Sequence, residues 1–354
     1  MGGRMNSKIA SAVVIGLSTL AITAQLVYPP SEQAANTVQV HLVVTDQKLN
    51  DDGAEPVIRA DNVQVKQGKN QLKVDQLIPA RDENGAMQLM LLIDDTCDSS
   101  IGNNLNDLRD FVKALPATTV VGLGYMSNAT IQVVQNFTND HALVANAIRL
   151  PRGSTSSMDS PYLSLVSLIK AWPQQKVRRE VLMMSDGIDR LRGEGTSGVD
   201  IASPSQLRNP GSMGTFATSQ MTMPSISVDA DTASNASQRA GVIVHSIYSP
   251  GVGRLSRNQW EAQLGQSGVS KIADETGGEY FALGLQSPVS FKPYLDRLQK
   301  IFNNQYYLVF QAVPKKKEGL QRVKISTQAE NADLAAANNV LVPAAAAPAK
   351  GGDD

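Results

Sequence analysis

The pattern of apolar and polar positions along the chain changes character twice. From Val38 to about Pro79, the stretches VQVHLVVT, NVQVKQ and QLKVDQLI alternate apolar and polar residues, the period-two signature of strands buried on one face. NDDG and KQGKN between them carry turn residues. So few short strands have little core of their own.

At Met87 the alternation gives way to QLMLLID, a near-continuous apolar run of the kind expected for a strand covered on both faces of a parallel sheet. NNLNDLRDFVKAL follows, with Leu105, Leu108, Phe111, Val112 and Leu115 at helical spacing. Further buried-strand runs (TTVVGLGYM, REVLMMSD, AGVIVHSIY) then alternate with helical stretches (HALVANAIRL, SPYLSLVSLIKAW, SKIADETGG, PYLDRLQKIF). That alternation predicts an α/β fold, a doubly wound and mostly parallel sheet. ATIQVVQNF follows a strand with no helix between them, so it is expected as an antiparallel hairpin at the sheet edge.

YYLVFQAV and QRVKISTQ return to alternation. They are expected to pair with the first strands in a small discontinuous β-module, with the α/β domain inserted. The expected organisation is a signal peptide over 1–24, a linker over 25–36, an N-terminal β-module over 37–85 and an α/β domain over 86–304. Strands over 305–342 join the β-module, and the tail over 343–354, PAAAAPAKGGDD, cannot build a packed core. A Gly-, Ser-, Thr-, Pro- and Met-rich loop at 191–227 interrupts the α/β pattern just after Asp186. A loop of that length reads either as a lid or partner surface or as a solvated insertion.

The first residues bear on compartment. Arg4 and Lys8 precede an uncharged stretch from Ile9 to Tyr28, the pattern of an export signal. Cleavage after Ala24 is expected, and Pro29 and Pro30 break any continuing helix. An uncleaved anchor is the alternative, because about 20 apolar residues span a bilayer. Either way the bulk of the chain is expected outside the cytoplasm, periplasmic or extracellular.

Cys97 is the only cysteine, so no disulfide forms within the chain and stability must come from its core. A net charge of -1 with 18% charged residues supplies no basic field, and nucleic acid is set aside as a partner. His41, His141 and His245 are far apart in sequence and read as structural. Gly122 and Gly124 lack the third glycine of a dinucleotide loop. Gly277 and Gly278 read as a helix end.

Three loops carry the candidate chemistry: LLIDDTCDSS after one buried strand, RGSTSSMDS, and LMMSDG after another buried strand. Together they resemble the three loops of a von Willebrand type A domain, over about Met87 to Gln311. In that family a D-x-S-x-S loop, a Thr loop and an Asp-Gly loop converge on one divalent cation. RREVLMMSDGIDR, AGVIVHSIYSPG, IADETGGEYF and NNQYYLVF, with the VVTD and NVQVKQGKN strands upstream, look more narrowly like exported bacterial proteins with the VWFA-related domain of acidobacterial type. The resemblance implies an exported protein-binding or adhesion-type module that engages a protein partner. It implies no enzyme and no small-molecule substrate, with contact to a membrane only if the N-terminal segment stays in place.

The residues themselves support a cation site of this kind. Mg2+, Ca2+ or Mn2+ seeks carboxylate and hydroxyl oxygens. Asp94 ends a buried strand, which puts it at the carboxyl edge of the sheet where ligands bind. Thr96 and Asp98 follow at alternate positions, and Asp186 can approach across the crevice. Thr155 best matches the family's threonine, with Ser154, Ser156 and Ser157 beside it. The competing register, Asp95, Cys97 and Ser99, would offer a soft thiol to a hard cation, so the first register is preferred. Asp98 stands where the family pattern has a serine. That extra carboxylate makes the expected site anionic and weakens it for an acidic partner. With no metal, these aspartates would cap loops and helix ends. A hydrolase or phosphatase using the Asp94 and Asp186 cleft is the second functional reading, but a phosphatase of the haloacid dehalogenase type needs an Asp where Thr96 stands.

Overall fold

The sequence places a central strand, Met87–Asp94 (β5), in which every residue is buried. In the computed structural model, which describes residues 37–48, 58–172, 177–192, 227–252, 259–281 and 289–345, this strand is the middle of a six-stranded sheet. The expected signal peptide, linker, NDDG turn, most of the 191–227 loop and most of the tail lie outside the described residues. Four preceding strands are Val38–Asp46 (β1), Val63–Gln67 (β2), Asn70–Leu72 (β3) and Val74–Pro79 (β4).

After β5 come helix Leu105–Ala114 (α1), strands Thr119–Ser127 (β6) and Thr130–Thr138 (β7), helices His141–Ala147 (α2) and Pro161–Ala171 (α3), and strand Arg178–Ser185 (β8). Helix Val228–Ala240 (α4), strand Val242–Tyr248 (β9), helix Gln259–Thr276 (α5), the short strand Tyr280–Phe281 (β10) and helix Lys292–Asn303 (α6) complete the α/β region. Strands Gln305–Ala312 (β11), Gly319–Arg322 (β12), Lys324–Thr327 (β13), Leu334–Ala336 (β14) and Asn339–Val342 (β15) follow.

The central sheet runs in the order β10, β9, β8, β5, β6, β7. β5 pairs parallel with both β6 and β8, and β7 alone is antiparallel, joined to β6 in a hairpin. The two central residues of that hairpin, Asn128 and Ala129, both have positive φ, the mirror-type turn whose twist matches paired strands.

Successive side chains of a strand face opposite sides, and the core divides accordingly. Leu89, Leu91 and Ile93 pack with α1, α2 and α6 on one face. Met90 and Leu92 pack with α3, α4 and α5 on the other. The sheet is therefore wound on both sides. From β5 the chain adds β6 and β7 on one flank, then returns to place β8 on the other flank of β5, so the switch point falls between β5 and β8.

The strands on either side of the α/β region meet. β1 pairs antiparallel with β11 from Val38 opposite Ala312 to Thr45 opposite Gln305, and β4 pairs with the other edge of β11. The chain thus enters the α/β region from β4 and returns along β11 beside it. β2 pairs with β13 and β3, and a third apolar cluster, including Val44, Val65, Leu308, Phe310 and Val340, fills the space between these strands.

The remaining candidates from sequence fall into structural roles. His245 is buried in β9 and lies 2.7 Å from Glu180, which also faces Arg178 at 3.6 Å. His141 contacts the Thr119 carbonyl at 2.8 Å, and His41 is exposed on β1. Gly122 and Gly124 lie within β6. Gly277 ends α5 with φ of +78°. Among the described residues, no helix is long and apolar enough to cross a membrane.

Candidate functional site

Asp94 at the end of β5 and Asp186 just beyond the end of β8 flank the switch point, the place where the connections diverge to opposite faces and leave a crevice. Asp94 is buried; its carboxylate accepts the Thr96 N–H at 2.9 Å and the Ser185 hydroxyl at 2.6 Å. Ser185 in turn accepts the Gly187 N–H at 3.0 Å, so one hydroxyl ties the two loops together. Burial, then the charge of Asp186, pushes the Asp94 carboxyl up to about 7, against the hydrogen bonds from Ser185 and Thr96.

Asp186 accepts the Ile188 N–H at 3.0 Å. Its main partner is Arg190, whose Nη2 lies 2.5 Å from Oδ2 and whose Nη1 lies 3.4 Å from Oδ1. Both side chains are buried, at 5% and 4% exposure. Burial works against the Arg190 charge, but the charges of Asp186, Asp94 and Asp159 and the hydrogen bonds to Asp186 outweigh it and raise its pKa. Gly251 packs directly against this pair, since a Cβ there would collide with Asp186 Oδ2 and lie 3.2 Å from Arg190 Nη2.

The second loop is held from beneath. Arg149 donates from both Nη atoms to Asp95, at 2.7 and 2.9 Å, the fork geometry that fixes a carboxylate most firmly, and its guanidinium stacks over Tyr125 at 3.7 Å. The Asp95 carbonyl accepts the Gly153 N–H at 2.9 Å. Buried Asp159 accepts the Asn128 N–H at 2.7 Å and the Ser156 N–H at 2.5 Å. Its carbonyl takes the Leu191 N–H at 2.9 Å, which joins this loop to the start of the third. The described base of the 191–227 loop is held where Arg192 pairs with Asp229 at 2.8 Å and Ser227 donates to Asp189 at 2.6 Å.

Of the five residues expected to hold a cation, Asp94, Thr96 and Asp186 lie in the cleft. Thr96 Oγ1 is buried without a hydrogen-bond partner. Asp98 is half-buried, and its carboxylate accepts the Ser100 N–H at 2.8 Å, capping the short 3₁₀ turn Ser99–Asn104. Thr155 is exposed, as are Ser154 and Ser157. Cys97 is fully buried with its sulfur 3.9 Å from two carbonyls, and burial followed by the nearby Asp94 charge raises its thiol pKa.

This set does not fit a divalent cation as it stands. Among the described residues, no group of three His, Cys, Asp or Glu side chains is arranged to hold one. The Asp186 carboxylate is engaged by a guanidinium. The Arg190 charge opposes a divalent ion that would share that carboxylate. The orphaned Thr96 hydroxyl is the one feature that favours an ion.

Sequence reasoning missed Arg190, Asp159, Arg149 and the role of Asp95. Arg190 carried one signal, its position four residues after Asp186. Asp159 and Arg149 become visible only when the loops are brought together.

No family model matches the sequence, and no curated protein matches it. Solved structures similar to this chain include an aerotolerance-related membrane protein from Bacteroides fragilis, at 13% identity, covering 62% of this chain and 99% of that one with a TM-score of 0.39. BatB, a conserved hypothetical protein from Bacteroides thetaiotaomicron, is similar at 12% identity, covering 61% and 98%, with a TM-score of 0.38. A von Willebrand factor type A protein from Catenulispora acidiphila is similar at 9% identity, covering 88% and 74%, with a TM-score of 0.37. At these values the likenesses carry no weight for function. The doubly wound sheet, its antiparallel hairpin edge and the loops gathered at the β5 and β8 switch point are the architecture that the resemblance to von Willebrand type A domains implies.

Proposed function

We propose that the chain is an exported, non-enzymatic module that binds a protein partner through the loops at the carboxyl edge of its α/β sheet. The observation that carries this reading is the contrast within the second loop. Its backbone is pinned by the Asp95 carbonyl and by Asp159, while Ser154, Thr155, Ser157 and Met158 at its tip are exposed, and Leu150 at its base is 50% exposed. A rigid backbone presenting polar and apolar tips binds without first being ordered, which is the main saving available to a preorganised interface. The enzyme alternative is weaker, because Asp94 is enclosed and the Cys97 thiol is both buried and held protonated. Export is supported by the signal pattern at 1–24 and by the resemblance to exported bacterial proteins of acidobacterial type.

The test is capture of partners from the exported fraction of the source cells by the immobilised mature chain. Leu150→Glu with Met158→Glu, shown to be folded by circular dichroism, is expected to lose the partner that the wild type retains. Retention by the double variant would remove the loop edge from the interface. Turnover of a phosphate or carboxylate ester that Asp94→Asn abolishes would favour the enzyme instead.

A further inference from the structure

A cation site need not be filled by an ion. The von Willebrand type A resemblance implies a divalent metal between the loops that carry Asp94 and Asp186, yet a fixed positive group of the chain already stands there. Arg190 opens the short 3₁₀ turn Arg190–Arg192, one helical turn's spacing from Asp186. It reaches back to grip both oxygens of that carboxylate. Asp94 and Asp159 add their charges around the same guanidinium, and the Gly251 backbone closes over the pair. Of the other donors expected of a metal site, Asp98 caps the Ser99–Asn104 turn, Thr155 faces solvent, and the Thr96 hydroxyl is left without a hydrogen-bond partner.

We propose that the guanidinium of Arg190 is the resident cation of this cleft, taking the place of a divalent ion, so that the loop edge is organised without metal. The chemistry suits the task. Guanidinium is permanently charged, presents five donors in a rigid fork, and is more weakly hydrated than an ammonium. Burial of three aspartates requires compensation; an arginine in the chain supplies it at all ion concentrations, which an exchangeable ion does not. This inference concerns how the loops are held and does not depend on whether a partner binds there.

The experiment is thermal unfolding of the mature protein in chelator and then in excess Mg2+, Ca2+ or Mn2+. An ion that binds only the native state raises the melting temperature, so the wild type is expected to melt at the same temperature in all four conditions. Arg190→Met is expected to melt lower in chelator and to recover part of the loss in Mg2+ or Mn2+, because Asp94 and Asp186 then lack their cation. A metal-dependent rise in the wild type that Asp186→Asn abolishes would overturn the proposal. So would an Arg190→Met variant as stable as wild type in chelator. If Arg190→Met does not fold, Arg190→Lys keeps the charge and loses the fork. It is expected to melt below wild type and still ignore metal, and a metal-dependent rise in its melting temperature would count against the proposal. The wild-type measurement needs no variant to fold.

Discussion

Arg190 and Asp186 form a buried ion pair at 2.5 Å across one turn of chain, at the point where the connections of the sheet diverge. Such pairs contribute little relative to well-packed apolar residues, but removing one partner strands the other charge in a low-dielectric interior. Asp186→Asn and Arg190→Met are each expected to lower the unfolding free energy by about 3–5 kcal/mol. The double variant should lose less than the sum, because the second change removes the charge that the first one stranded. Urea unfolding of the four proteins measures the coupling, and strictly additive losses would mean that the two side chains do not sense each other.

The parts of this arrangement that sequence made legible are those set by local pattern. β5 and β8 announced themselves because every one of their side chains is buried. ATIQVVQNF could be placed at an edge because no helix separates it from β6. Asp94 and Asp186 were readable for the same reason, since the first ends and the second follows a strand whose end is fixed by its apolar run. Arg190 was not readable. A basic residue four places after an acidic one usually marks an exposed pair, and its burial is decided by Gly251, Asp159 and Asp94, which lie far away in sequence. Alternate positions of an extended loop share a side, which is what makes Asp98 a candidate ligand in the sequence. The chain turns into a 3₁₀ helix immediately after it, and its carboxylate goes to the Ser100 N–H.

Asp107 on α1 gives a pH-dependent prediction. It caps α6 from outside, accepting hydrogen bonds from Ser290 Oγ at 2.6 Å, Phe291 N–H at 2.8 Å and Lys292 N–H at 3.2 Å. The Ser290 bond foremost, with those backbone bonds and the Lys292 charge, holds its pKa below the ordinary value against burial, which ranks second and acts the other way. A carboxylate depressed in the folded state stabilises the protein above its unfolded pKa, about 3.9, and the contribution disappears as pH falls through the folded value. The stability difference between wild type and Asp107→Asn is therefore expected to be constant from neutral pH to near 5 and to shrink below about 4. Denaturant titrations at several pH values check this, and a difference that grows on acidification would contradict it.

Cys97 should be chemically silent in the native protein. The thiolate is the reactive form, and here burial and then the Asp94 charge raise the thiol pKa, while the side chain has no exposed surface. A disulfide reagent at neutral pH is expected to label it only at the rate at which the site opens. Labelling should accelerate through the urea transition in step with loss of structure. Rapid stoichiometric labelling in native buffer would show that the loop around Cys97 opens far more readily than its packing implies.

Gly241 and Gly277 both end helices in the left-handed region, with φ of +63° and +78°, and comparing them separates backbone strain from collision. A side chain in left-handed backbone costs roughly 1–2 kcal/mol wherever it sits. At Gly241 a Cβ would meet nothing within 4 Å, so Gly241→Ala should cost only that strain. At Gly277 a Cβ would lie 2.6 Å from the Ala336 carbonyl carbon and 2.7 Å from its Cα. Ala336 cannot simply withdraw, because β14 is paired to β1, with Ala336 opposite Val44, and Gly278 N–H is bonded back to Ala273 at 2.9 Å. Relief of the clash would have to separate the end of α5 from that sheet. Gly277→Ala is therefore expected to lose at least about 2 kcal/mol more than Gly241→Ala, the scale of overpacking a close contact. Equal losses in denaturant unfolding would mean that the end of α5 is not seated on β14.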